Sequence, residues 1–306
     1  MIGFIGSRFF NAAITLVAAV IATFLMIRVA PGDPVLVLLG DLASPEQIAA
    51  ARIEYGLDRP IYEQLFIYLG KAFTLDFGNS IIQGRAAVDI VIQRMTATLT
   101  LGAVTFALVL ALALPLGLLS ALYRDRLFDR ATSNSSLVVL GIPDFWLGLV
   151  FILVFARWLQ ILPSSGWLST TSIILPAATL ALPLVAVNMR LLRNEAIGVL
   201  DSNMVKILRA KGIPTRRIVT HHVLRNALLP VLTVGGVQFG HLLGGAVIVE
   251  TVFGWPGLGK ELIAAISYRD YAVVQACIFV MTFLVVAINL VVDFSYRLID
   301  PRLRRG

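Results

Sequence analysis

The run Gly254-Trp255-Pro256-Gly257-Leu258-Gly259-Lys260-Glu261 has nearly the outline of a phosphate-binding loop. Such a loop needs Ser or Thr after its Lys, so that a hydroxyl can reach magnesium. Glu261 stands there instead, and a carboxylate repels phosphate. The run also follows an apolar stretch rather than a strand. It is therefore expected to be a Gly/Pro turn followed by a short helix, without nucleotide. His221 and His222 are adjacent, so on a helix they diverge by about 100° and make a poor metal pair. No Cys, His and carboxylate cluster has metal-ligand spacing. The single Cys277 lies in the last apolar run and supports neither a disulfide nor a metal cluster. Covalent chemistry and a bound cofactor are not expected of this chain.

A different chemistry is suggested by polar groups inside apolar runs. Asp144, Arg157, Gln238, His241, Glu250 and Asp293 all lie in such runs. A charge in hydrocarbon costs at least about 2.5–3.5 kcal/mol, so these groups should face protein or a watery cavity. His241 could touch a passing substrate, or simply hydrogen-bond within the fold. Gly236, Gly240 and Gly244 recur every four residues and put a small-residue face on one helix. Such faces let helices approach closely. Gly236, Gln238, Gly240, His241 and Gly244 are the candidate packing or pathway residues.

Membrane spans must position these groups. The 306 residues are 58% hydrophobic, with a mean hydropathy of +0.88 and a net charge of +7. A span needs roughly 20 apolar residues. Six stretches qualify: Phe9–Ile27, Leu99–Tyr123, Leu137–Leu162, Ile173–Met189, Ala227–Phe253 and Ala272–Phe294. With both termini inside, 16 of the 25 Lys and Arg residues fall in cytoplasmic segments. The positive-inside rule favours that orientation, and interleaving of charge with spans argues against nucleic acid as a partner. The first span is expected to be an uncleaved anchor, because Arg28-Val29-Ala30-Pro31 is a poor cleavage site. The outside segment should be a small helical cap against the membrane surface. Ser44-Pro45-Glu46-Gln47 reads as a helix start. Tyr62–Phe73 has helical spacing, and Asp76-Phe77-Gly78 ends it. The chain thus divides at 98/99 into an anchor with its outer segment (1–98) and a five-helix core (99–306).

Between the fourth and fifth spans lies a basic loop, 190–226. Met204–Lys211 can form a short helix, Gly212 supplies a left-handed closing position, and Pro214 suits the first turn of another helix. Ile213, Ile218, Val219 and Val223 give that second helix an apolar stripe. The expected object is a hairpin projecting from the membrane, basic on its exposed side. A partner could grip it as a helix in a groove, or the loop could serve only to set topology.

The loop resembles the EAA loop of binding-protein-dependent ABC import permeases. More closely, the chain is similar to the B-type permease of the dipeptide, oligopeptide and nickel systems. Blocks in matching order carry the likeness: PGDP at Pro31–Pro34, YGLDRPIYEQ at Tyr55–Gln64, LDFGNS at Leu75–Ser80 and TATLTLG at Thr96–Gly102. RAKG at Arg209–Gly212, LRNALLP at Leu224–Pro230, ETVFGWPGLG at Glu250–Gly259, RDYAVVQA at Arg269–Ala276 and DPRLR at Asp300–Arg304 follow.

The resemblance implies an all-α, type I importer permease with six transmembrane helices in a bacterial inner membrane. It implies a homologous C-type permease as partner, two cytoplasmic ATPases that bind ATP and magnesium, and an extracytoplasmic binding protein. It implies peptides or nickel chelates as cargo. The loop's short helix would sit in a cleft of the ATPase, through Lys206, Arg209, Ala210, Lys211, Gly212, Ile213 and Arg216. Lys206 stands where the wider superfamily often has Glu, which removes a Glu-specific contact. A stand-alone secondary transporter or channel also accounts for the spans and their ionisable groups, but leaves the loop without a purpose.

Overall fold

The computed structural model describes residues 2–29, 44–54 and 58–299, with some side chains, His241 and Asp293 among them, outside that set. The PGDP and DPRLR blocks also lie outside it. Among the described residues the chain is helical apart from one bridge, Asn79 to Ala86. The helices are α1 (Ile2–Val29), α2 (Pro45–Glu54), α3 (Ile61–Phe73), α4 (Ala87–Leu122), α5 (Leu127–Leu140) and α6 (Asp144–Phe151). A π-helical turn, Ile152–Trp158, extends α6. Then come α7 (Ile174–Leu200), α8 (Asn203–Ala210), α9 (Thr215–Arg217), α10 (Leu224–Val252), α11 (Leu258–Ser267) and α12 (Tyr271–Ile299).

Four segments are long and apolar enough to cross a bilayer: Gly6–Met26, Ala87–Leu122, Thr170–Leu200 and Tyr271–Val292. They fall on the expected first, second, fourth and sixth spans. The fourth is longer than the sequence suggested, because α7 runs past Met189 to Leu200. The expected third span, Leu137–Leu162, is not one helix. Leu127–Leu140 and Asp144–Trp158 meet at 107°, and only as a bent pair do they make a fifth span. The physical reason is Gly141-Ile142-Pro143. Gly141 ends α5, its N–H donating to Val138 O at 3.1 Å, and Pro143 takes an extended ψ of 139° before α6. The residue before a proline is disfavoured in the α region, so the helix cannot run through. The expected fifth span falls on α10, a 29-residue helix containing Pro230.

The chain forms two compact units, Met1–Thr98 with Pro256–Ala287, and Leu99–Trp255 with Ile288–Gly306. In the first, Phe24 stacks on Tyr68 at 5.6 Å, so α3 is seated on α1. Ser44 and Gln47 form a reciprocal capping box at the start of α2: Gln47 N donates to Ser44 Oγ at 3.2 Å and Ser44 N to Gln47 Oε1 at 2.9 Å. After α3 the chain turns at Gly78, whose φ is +84°, with its N–H donating to Asp76 Oδ1 at 3.2 Å. The hydroxyl of Ser80 then donates to the buried carboxylate of Asp270, which also accepts from Val273 N at the start of α12. Two of the family blocks thus meet through one hydrogen bond.

In the second unit α7 is central, with α5, α6 and α10 packed on it. A Cβ at Gly117 of α4 would lie 2.8 Å from Met189 O, so these two helices touch backbone to side. Trp167 stacks on the fully buried Trp255 at 4.7 Å, beside a Gly166 N–H that donates to Phe253 O at 2.8 Å.

Candidate functional site

The basic loop folds as the short helix α8, a tight turn and a second helix. Gly212 has φ +74°, its N–H donates to Arg209 O at 2.9 Å, and Ile213 N donates to Leu208 O at 3.2 Å. Those paired bonds are the Schellman closure, which satisfies carbonyls left over at a helix end. Leu208 and Ile213, the pair that usually accompanies this closure, both pack against the same buried cluster. Pro214 stands one position before the second helix rather than inside its first turn. That helix then runs from α9 through a π-helical turn, Ile218–Val223, directly into α10.

The hairpin does not project freely. Val205, Ile218 and Val223 are fully buried against Leu192 and Ala196 of α7 and Ala121 of α4. Burying each such side chain stabilises by about 1.5–3 kcal/mol, so the hairpin is fixed to the helices behind it. Lys206, Arg209, Ala210, Lys211, Gly212 and Arg216 lie on its outer side, and Ile213 is half-buried. Among the exposed cations stand two apolar side chains, Met204 at 39% and Ile207 at 55% exposure.

Beneath the hairpin lies an ion pair that sequence reading missed. Arg193 of α7 grips the buried Asp129 of α5 through Nε and Nη2, the latter at 2.7 Å. Ser120 Oγ donates to Asp129 Oδ1 at 2.7 Å and Asp125 N to Oδ2 at 2.9 Å. The carboxylate, itself on α5, is therefore held from α4, from the turn before α5 and from α7 together. The Arg124–Asp201 pair nearby, at 3.1 Å, is exposed and contributes little.

The glycine face of α10 divides. A Cβ at Gly240 would lie 2.9 Å from Asn289 Oδ1, the movable end of an exposed side chain, so a larger residue there need only turn that carboxamide aside, and Gly244 is exposed with open space before it. Gly236 is buried, and the side chain of His241 lies outside the described set. Gln238 Oε1 accepts from Asn188 Nδ2 of α7 at 2.6 Å, a partner the sequence did not offer. Asp144 begins α6 at the break, and Glu250 is buried. In the near phosphate loop, Glu261 is engaged by Arg94 Nε at 2.9 Å and Gln83 Nε2 at 2.8 Å. Among the described residues no three His, Cys, Asp or Glu gather as a metal site.

Known proteins match this arrangement along its length. The description "Binding-protein-dependent transport system inner membrane component" matches residues 113–305, and the corresponding N-terminal family matches residues 1–102. A Brucella abortus (strain 2308) protein described as a peptide transport system permease is 35% identical over 99% of both chains. The glutathione transport system permease protein GsiC of Escherichia coli (strain K12) is 36% identical over 99% of both chains. The inward-facing MetNI methionine ABC transporter matches in fold, with a TM-score of 0.58 and 19% identity, over 69% of this chain and 96% of that one. This chain belongs to the family of inner membrane components of binding-protein-dependent transport systems.

Proposed function

We propose that this chain is the permease subunit of an ATP-driven peptide importer, in which the hairpin Asn203–Val223 takes up the movement of a cytoplasmic ATPase. The seating of the hairpin carries this reading. Its inner side is locked by Val205, Ile218 and Val223, while its outer side offers Met204 and Ile207 among cations. An object of that kind transmits a push to α7 and α10 as one body. A loop that served topology alone would have no use for a Schellman closure or a buried apolar face.

Lys206, Arg209, Ala210, Lys211, Gly212, Ile213 and Arg216 form the docking element, and a cleft with an acidic rim is the complementary surface. The chain spans the bilayer six times with both termini cytoplasmic, and works beside a homologous permease, two ATPases that bind ATP and magnesium, and an extracytoplasmic binding protein. Domains 1–98 and 99–306 divide the labour between outer cap and passage. Peptides are the cargo, because the relatives are named for peptide and glutathione transport; those names give no support to nickel chelates. Hydrolysis biases a two-state passage, and this chain performs no covalent step.

Proteoliposomes holding the full complex test the reading. Uptake of peptide that requires ATP and both ATPases is the expected result. Uptake by this chain alone, driven by an ion gradient, would make it a secondary transporter.

A further inference from the structure

A groove between α4, α7 and α10 is lined by Phe106, Val109, Leu184, Asn188, Gly235 and Gln238, among others. It is apolar except for its two carboxamides. Its space of about 10 Å³ takes one water at most. Asn188 reaches across it, its Nδ2 donating to Gln238 Oε1 at 2.6 Å and to Leu184 O at 2.8 Å. Both donors of that amide are thereby used. Its Oδ1 is buried and has no hydrogen-bond donor among the described residues, on a residue only 2% exposed. Gly235 faces this oxygen: a Cβ there would stand in van der Waals contact with it at 3.5 Å.

A buried carbonyl oxygen without a donor is uncommon and costly, so it calls for an explanation. A side-chain carboxamide carries the same donor and acceptor groups as a peptide bond. We propose that Asn188 and Gln238 form an amide clasp that holds the groove shut in this conformation. When α7 and α10 part, Asn188 Oδ1 accepts a backbone N–H of the peptide cargo, and the released Gln238 amide offers a donor to a cargo carbonyl. The clasp rests on the peptide-importer reading above. It explains why two amides, rather than charges, stand in an apolar groove: they read the backbone and not its side chains. Water could supply the same kind of donor. The groove as it stands fits only water, so contact with peptide belongs to the opened state.

The test uses the full complex in proteoliposomes, with trialanine and a backbone N-methylated trialanine as cargo. The wild-type complex should take up trialanine with a KM about tenfold lower than the methylated form, the scale of one hydrogen bond. Asn188→Leu should raise the KM for trialanine to that of the methylated peptide and abolish the discrimination. Thr105→Val removes a buried hydroxyl of α4 that is not part of the groove lining and should preserve the discrimination. If Asn188→Leu fails to assemble, Gly235→Ala, whose methyl group sits against Oδ1, should abolish the discrimination instead. Equal loss of uptake for both peptides, with discrimination intact, would show a water or packing site only and overturn the clasp. A wild-type complex that takes up both peptides equally well would overturn it too. Absence of any ATP-driven peptide uptake by the wild type would refute the importer reading itself, and the clasp with it.

Discussion

Replacing Gly212 with valine isolates the backbone of the hairpin from everything around it. The φ of Gly212 is +74°, and a Cβ built there meets nothing within 4 Å. Within this chain, any effect of the substitution therefore comes from conformation and not from collision, and the asparagine control below separates it from a clash with the docked partner. An L-residue held in this region costs about 1–3 kcal/mol, and a β-branched one sits at the upper end. That cost opposes the two reverse hydrogen bonds from Gly212 and Ile213 that close α8. A penalty of that size reduces the closed hairpin about 5- to 150-fold relative to open forms. Gly212→Val should thus lower ATP-dependent uptake and ATPase capture by the complex while the chain still inserts in the membrane. Gly212→Asn is the matched control, because asparagine tolerates the left-handed region. It should retain most of the activity that valine loses. Equal uptake by the valine, asparagine and wild-type complexes would refute the reasoning. Equal failure of both variants would show that any side chain at 212 is harmful, and that φ is not the cause.

Asp129→Ala strands Arg193 in a partly buried position and should destabilise the detergent-solubilised chain by about 3–5 kcal/mol, read as a drop in Tm. The pair Asp129→Leu with Arg193→Met should recover much of that loss, since a buried ion pair can often be replaced by apolar packing. Gly117→Ala should cost about 1–3 kcal/mol by forcing α4 off Met189 O, whereas Gly244→Ala, in open space within a helix, should leave Tm unchanged or slightly raised. Lys206→Glu combined with Arg209→Glu should weaken ATPase capture and reduce its sensitivity to salt, measured by co-purification across a salt series.

What the residues disclosed in advance was local. Gly212 and the capping box at Ser44 each act through bonds to residues three to five positions away, so their types and spacing suffice to place them. Hydropathy likewise placed α1, α4, α7 and α12, because a bilayer imposes length and apolarity on each helix separately. The break at Gly141–Pro143 was written in the sequence, yet an apolar stretch on both sides disguised it as one span. The hairpin's tight seating was half visible: the stripe at Ile218, Val219 and Val223 was apparent, but its partners Leu192 and Ala121 were not. Asp129 with Arg193, Asn188 with Gln238, and Ser80 with Asp270 join residues 50 or more positions apart. No local pattern announces such pairs. Gly117 was one small residue in an apolar helix, and only the approach of α7 shows why a larger one does not fit.

Cross-linking from the hairpin tests the central claim most directly. Cys277 is fully buried, so Ile207→Cys places a reactive thiol on the exposed side of α8 without competition from it. A short thiol-to-amine cross-linker added to the assembled complex should join this chain to an ATPase subunit, with a yield that changes when ATP is added. Full thiol labelling with no ATPase adduct, in a complex that still transports peptide, would contradict the account.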